Sequence, residues 1–345
     1  PPTAPRLSLT MSNLLDPAIL FFLFGVLAGL VRSNLEIPPA ISRFLSLYLL
    51  MALGLKGGFA LAESGWTTEV LRSLALAVGL ALIVPAISYQ LLKRVVNGFD
   101  AAALAATYGS VSAVTFITTI QYLENQGIAY GGHMAAAMAL MESPAIVMAV
   151  LLANRLRTAP AASVALAGAG AGAPTLTAPG PAVPMGKILH ESFTDGAQLV
   201  LLGAMAIGLI TGAEGAAVMA PFSVDLFKGM LAFFLLDMGL MTARNAGSLR
   251  SQSPLLLVYA IVAPVLHALL ALGLCRLLAI ETGNAIVLMV LAASASYIAV
   301  PAVLRFAIPE ARPALYFGMS LGLTFPFNIL VGIPVYAWLA RWALG

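Results

Sequence analysis

The chain has 345 residues, 61% of them hydrophobic and 9% charged, against roughly 45 to 50% and about 25% in a typical soluble domain. With a mean hydropathy of +0.99, this composition excludes a soluble protein of this size and calls for a bilayer as solvent. The formal net charge of +3 suggests neither a nucleic-acid partner nor a polybasic surface mode, and the single cysteine, Cys275, rules out an intramolecular disulfide and argues against a cysteine metal cluster.

A charge at the bilayer centre is costly, so uncharged runs between charges mark the spans. Ten follow in chain order: 17–31, about 44–62 with Lys56 inside, 73–92, 101–123, 125–154 with Glu142 inside, 196–213, 226–243 with Lys228 and Asp237 inside, 251–275, 282–304 and 313–340. The first is not expected to be a cleaved signal, because Asp16 and Pro17 stand where a basic segment belongs. An eleventh uncharged stretch, 158–186, holds five prolines and five glycines in 29 residues. Repeated proline removes helical donors that lipid cannot replace, so this stretch is expected to be a flexible linker between residues 1–157 and 187–345. The odd-numbered loops carry eleven Lys and Arg against five on the other side, termini included. That asymmetry places the odd loops and the linker in the cytoplasm and both termini outside.

The chain also repeats itself. Tyr48 to Lys56, Y-L-L-M-A-L-G-L-K, resembles Phe233 to Met241, F-F-L-L-D-M-G-L-M; Leu23 to Leu30 resembles Leu201 to Leu209; the segment ending at Ser88 mirrors the one ending at His267; and Ser110 and Ser112 correspond to Ser294 and Ser296. Four pairs in one order, at offsets of 178 to 185, define two five-span halves. Five is odd, so the halves enter the membrane from opposite sides. The expected fold is an all-α polytopic membrane protein of ten transmembrane helices in two inverted five-helix repeats, with discontinuous helices crossing near the midplane.

That architecture directs attention to Tyr108–Thr115, Y-G-S-V-S-A-V-T, and Ala293–Pro301, A-S-A-S-Y-I-A-V-P. Gly109 permits unwinding and Pro301 removes a donor, which is expected to free a carbonyl one turn earlier. Broken helices present free N–H groups and partial positive charge to an anion, and Ser110, Ser112, Ser294 and Ser296 offer hydroxyls. The alternative is close helix packing by small residues. A second matched pair is M-E-S-P, with Glu142 and Pro144, and T-F-P-F-N, with Thr324, Pro326 and Asn328. Glu142 is expected to ligate a cation or carry a proton, and Asn328 to offer a carbonyl of the kind sodium accepts; the alternatives are a neutral carboxylic acid and an amide tying two helices. Lys56 is expected to snorkel. Asp237 needs a partner, with Lys56 and Arg244 as candidates, and His267 is expected either to bond the carbonyl freed by Pro264 or to relay protons. His133 and His190 complete no metal constellation.

These residues resemble the cyanobacterial sodium-dependent bicarbonate transporter family from about Pro17 to Trp338, with the linker excluded. The resemblance is carried by I-P at 37–38, L-G-L-K-G-G at 53–58, S-x-x-T at 112–115, L-E-N-Q-G-I at 123–128, V-Y-A-I-V-A-P-V-L-H at 258–267 and A-A-S-A-S at 292–296. It implies ten helices in two inverted repeats, a homotrimer, elevator-like movement of a core against a scaffold, and import of bicarbonate with sodium as co-substrate for carbon concentration. It also implies no other cofactor, a bacterial plasma membrane and a PII-like regulatory partner on the cytoplasmic face. The implied substrate residues are Ser110, Ser112, Thr115, Ser294 and Ser296, with Tyr297 standing where relatives carry an acid. Glu142 stands where they carry aspartate, and Phe325 and Phe327 where they carry small residues.

Other functions remain open at this stage: a carrier of another small monovalent anion, a proton-coupled carrier, an anion channel and an intramembrane enzyme. The chain lacks D-D-x-x-D and H-E-x-x-H, and it has no G-x-S-x-G with a histidine partner, which argues against the enzyme.

Overall fold

The computed structural model describes residues 15–158, 186, 190 and 194–345. The expected linker falls almost wholly outside these residues. The described elements are helices, in chain order α1 (Pro17–Leu30), α2 (Pro39–Ser64), α3 (Thr68–Leu92), α4 (Gly98–Gly109), α5 (Ala113–Asn125), α6 (Met134–Glu142), α7 (Pro144–Thr158), α8 (Gly196–Ala220), α9 (Phe227–Asn245), α10 (Pro254–Leu277), α11 (Thr282–Ala293) and α12 (Ala299–Ala307). A last helical run, α13 (Pro313–Leu344), contains wide π turns at Ser320–Thr324 and Asn328–Gly332. Seven helical runs among the described residues are long and apolar enough to cross a membrane, counting 4 with 5, 6 with 7, and the 54-residue stretch Gly196–Leu249 once each. The chain is a multi-pass membrane protein. α1 and α11 are shorter apolar helices.

Local chemistry starts these helices. Asp16 caps α1, its carboxylate accepting from the Ala18 N–H at 2.8 Å, with Pro17 in the first turn, where a missing N–H costs nothing. Ser253 and Pro254 do the same for α10, and Asn97 caps α4, accepting from the Asp100 N–H at 2.9 Å.

The helices form two groups by packing. In the first, α2 lies on α8 and α1 on α9, both through glycines. A Cβ at Gly58 would meet backbone of Met205, Gly208 and Leu209, and one at Gly54 would meet Leu201 and Ala204. Gly25 and Gly29 face Leu236, Leu240 and Ala243, while Gly239 faces Phe22 and Val26. In lipid, where tails are as apolar as leucine, such close backbone approach is what holds helices together. The order of these contacts makes α2 and α8 parallel, and α1 and α9 parallel. Ser42 meets Asp237 while Lys56 lies over Phe227, so α2 and α9 are antiparallel. It follows that α8 runs opposite to α1.

The second group contains α3 to α7 and α10 to α12, with α3 on α4, α4 on α7, α10 on α11, and α13 touching both groups. Ion pairs close one end of it. The Asp100 carboxylate accepts from the Arg312 backbone N–H and Nε, each at 2.8 Å, and Arg157 binds Glu310 through Nε and Nη2 at 2.8 and 2.6 Å. Hydrogen bonds from Arg157 hold the Glu310 carboxyl below the usual carboxylate range.

Several expectations about polar groups are corrected. Asp237 pairs with neither cation: its Oδ2 accepts from Ser42 Oγ at 2.5 Å, while Arg244 Nη2 donates to the Leu35 carbonyl at 2.9 Å. Lys56 binds Glu124 at 2.5 Å with its ammonium over the Phe227 ring, so it does more than snorkel. The Ala260 carbonyl, one turn before Pro264, accepts from Thr324 Oγ1 at 2.7 Å and not from His267, whose Nε2 lies 3.5 Å from Ser88 Oγ. Pro301 is the third residue of α12, where the helix has no acceptor for an N–H in any case, so it frees no carbonyl.

Candidate functional site

Both small-residue motifs break their helices. α4 ends at Gly109, Ser110 and Ser112 are extended, and α5 begins at Ala113. Packing fixes the first break: a Cβ at Gly109 would fall on the Pro85 ring, so only glycine brings the end of α4 this close to α3. α11 ends at Ala293, Ser294 is extended, and α12 begins at Ala299. The two breaks lie side by side and bond to one another. Ser112 N donates to Ser294 Oγ at 3.0 Å and Ser296 N to the Thr107 carbonyl at 2.8 Å, so each break satisfies backbone groups that lipid cannot.

The four serines divide into two kinds. Ser110 and Ser294 are spent on the fold, Ser110 Oγ donating to the Glu142 carbonyl at 2.9 Å and Ser294 Oγ to the Leu291 carbonyl at 2.8 Å. Ser112 and Ser296 line a pocket of about 110 Å³, several times the roughly 10–15 Å³ that one water requires. Their hydroxyls accept from the N–H groups of Thr115 at 3.2 Å and Val300 at 3.3 Å; Ser112 is the N-cap of α5, while Ser296, three residues before α12, reaches an N–H of its first turn. Ala113 and Ala299, the first residues of those helices, also line the pocket. Two helix N-termini with partial positive charge therefore converge there.

Glu142 and Asp195 line the same pocket, together with Ser46, Leu50 and Tyr297. Glu142 stands at the end of α6, where Pro144 forces a new helix to begin. Its Oε2 accepts from Gln198 Nε2 at 2.9 Å. Asp195 caps α8, accepting from the Ala197 and Gln198 N–H groups at 2.9 and 3.3 Å. Tyr297 is buried, its ring 5.2 Å from that of Phe325 and its hydroxyl directed at the Met238 sulfur.

The remaining candidates sit elsewhere. Thr115 is buried one turn into α5 and its side chain is absent from the pocket wall. Thr324 Oγ1 is engaged with Tyr108 Oη at 2.8 Å and the Ala260 carbonyl. Asn328 spans Ala293, to whose carbonyl it donates at 2.8 Å, and Tyr336, from which it accepts at 3.3 Å. Pro326 lies between the two π turns, the kind of irregularity common at functional sites. Sequence reasoning overlooked Asp195 and Gln198. An aspartate directly before an apolar run is an N-cap signal, and a glutamine three residues inside that run is a polar group needing a partner; neither signal names the partner.

A second pocket, about 410 Å³, lies farther along the same helices, between Leu53 and Lys56 of α2 and Phe116 and Ile120 of α5. Leu50 and Ala113 line the first pocket, Leu53 and Phe116 the second. Three residues, about 4.5 Å of helical rise, separate the two sets. Lys56 and Tyr130, which line the second pocket, both bond Glu124, the Tyr130 hydroxyl donating to it at 3.0 Å.

A family model for the Na+-dependent bicarbonate transporter superfamily matches residues 17–341. The chain belongs to that superfamily. Its members are membrane transporters and not a class of enzyme, and the match covers every helix described above except the last three residues of α13. No curated protein matched the chain.

Proposed function

We propose that the protein imports bicarbonate together with sodium by alternating access, as a carrier of ten membrane crossings in two inverted repeats. The observation that carries this reading is the pocket's mixed electrostatics. Two helix N-termini and two hydroxyls suit a small anion, yet Glu142 and Asp195 face the same 110 Å³. A bicarbonate ion beside two carboxylates needs a compensating cation, and an oxygen-lined pocket is the chemistry sodium accepts. Obligatory pairing of anion and cation is symport.

Helix directions support the inverted repeat. The sequence of α8 resembles that of α1 and the sequence of α9 resembles that of α2, yet α8 runs opposite to α1. The two cross-pairs, α1 with α9 and α2 with α8, are what one two-fold axis in the membrane plane would generate. Ser88 and His267, partners under the same correspondence, meet each other, as residues near such an axis must. The offset of the two pockets along α2 and α5 supports alternating access, because a small shift of one helix group against the other would exchange which pocket the anion reaches.

The same reading places the odd-numbered loops in the cytoplasm of a cyanobacterial-type cell, both termini outside, the chain in a homotrimer, and a PII-like protein on the cytoplasmic cavity. The deciding experiment is labelled-bicarbonate uptake into proteoliposomes with and without an inward sodium gradient. Uptake against the bicarbonate gradient only with sodium is the expected result. Uptake that follows a proton gradient and ignores sodium overturns the coupling, and flux that never exceeds equilibrium means a channel.

A further inference from the structure

Gln198 is a polar residue that ties the two helix groups together beside the pocket. It stands in the first turn of α8, and α8 packs on α2 in the first group. Its amide is buried and reaches into the second group, where Nε2 lies 2.9 Å from Glu142 Oε2, 3.3 Å from Ser143 Oγ and 3.4 Å from the Ala139 carbonyl. The three acceptors lie on the last turn of α6 and on Ser143, at the break that Pro144 creates.

We propose that Gln198 is a positioning residue for Glu142, holding its carboxylate across the boundary between the helix groups until a monovalent cation takes its place. The inference deepens the transport reading above and rests on it. Glu142 is ionisable and lines the pocket beside a second carboxylate, Asp195, so in the cation-free state its oxygens require a donor. An ionised carboxylate is acceptor-only, with about four lone-pair positions, and Gln198 is the donor the structure supplies. A cation binding the same oxygens competes with that amide. Movement of one helix group against the other also requires the bond to break, because its two ends lie on different groups. One event, replacement of the amide by the cation, thus both fills the site and releases this one of the polar bonds between the groups, while the Lys56–Glu124 pair, which also crosses them, stays in place.

The test is Gln198→Leu, which keeps the shape and helix propensity of the residue and removes the donor. Uptake into proteoliposomes is measured as a function of sodium at saturating bicarbonate, and as a function of bicarbonate at saturating sodium. With the competing amide gone, half-saturating sodium is expected to fall about three- to tenfold while half-saturating bicarbonate stays within twofold. Gln198→Asn, whose amide is one methylene short, is expected to behave the same way and serves if the leucine variant fails to assemble. In a Glu142→Gln background, substituting Gln198 is expected to leave any sodium-induced shift in melting temperature unchanged. A purely structural role would move both half-saturation values together and would persist in that background; either result overturns the proposal. Sodium-driven wild-type uptake with an unaltered sodium value in both variants defeats the role of Gln198 alone. Wild-type uptake indifferent to sodium defeats the transport reading and this inference with it.

Discussion

Ser112→Ala separates anion binding from helix capping, because the same hydroxyl does both. Its Oγ accepts from the Thr115 N–H at 3.2 Å and lines the 110 Å³ pocket. Loss of an N-cap costs about 1 kcal/mol of stability and appears as a lower melting temperature. Loss of a hydrogen bond to a charged ligand costs about 1.5–3 kcal/mol. At about 1.4 kcal/mol per factor of ten, half-saturating bicarbonate should then rise roughly ten- to 150-fold. Ser296→Ala should do likewise, since its hydroxyl accepts from the Val300 N–H in the first turn of α12 and lines the same pocket. Ser110→Ala and Ser294→Ala should lower melting temperature and leave half-saturation nearly intact, because those hydroxyls are bound to the Glu142 and Leu291 carbonyls. The assay is initial-rate uptake of labelled bicarbonate into proteoliposomes, with size-exclusion profiles as the check on assembly, and Ser112→Thr as the variant that keeps the hydroxyl. Half-saturation within twofold of wild type in both Ser112→Ala and Ser296→Ala would refute the assignment of this pocket.

Three further outcomes concern the scaffold and its ends. Gly58→Leu should lower the melting temperature sharply, because the new side chain meets backbone of α8, whereas Gly79→Ala, with open space at the Cβ, should be neutral. Glu310→Gln should lower melting temperature at neutral pH, by a deficit that shrinks on acidification. Its native pKa is depressed by Arg157, so its stabilisation is full above the ordinary carboxylate value of about 4.3 and is lost as pH falls through the lower native value; a deficit that does not shrink as pH falls below about 4.3 would contradict this. Reversing Lys56 to Glu, or Glu124 to Lys, should lower melting temperature, and the double exchange should recover part of the loss, since the pair meets at 2.5 Å. The recovery should be modest, about 1 kcal/mol or less for a partly exposed pair.

Scarcity of charge was enough to mark membrane segments in the sequence, because the cost of a charge in lipid depends on composition and hardly on neighbours. The same local logic pointed to the helix breaks, since the paired serines and Pro144 act on their own backbone, whereas Gly109 is required by its packing against Pro85. It extended to the superfamily, whose motifs are contiguous. What it could not supply was partnership. Asp237 chose Ser42 over two cations, Lys56 chose Glu124, and Thr324, not His267, took the Ala260 carbonyl.

Each of those choices is a distance between residues far apart in sequence. The division of the serines into two that line the pocket and two that hold the breaks has the same origin, as does the meeting of Glu142 with Asp195 and Gln198 across a separation of more than fifty residues. Composition, span positions and break points follow from the sequence because they are set by short-range costs of solvation and backbone geometry. Only the packed structure decides which polar groups share a pocket, because in a low-dielectric interior a buried donor must be matched by whichever acceptor the folding of distant helices brings to it.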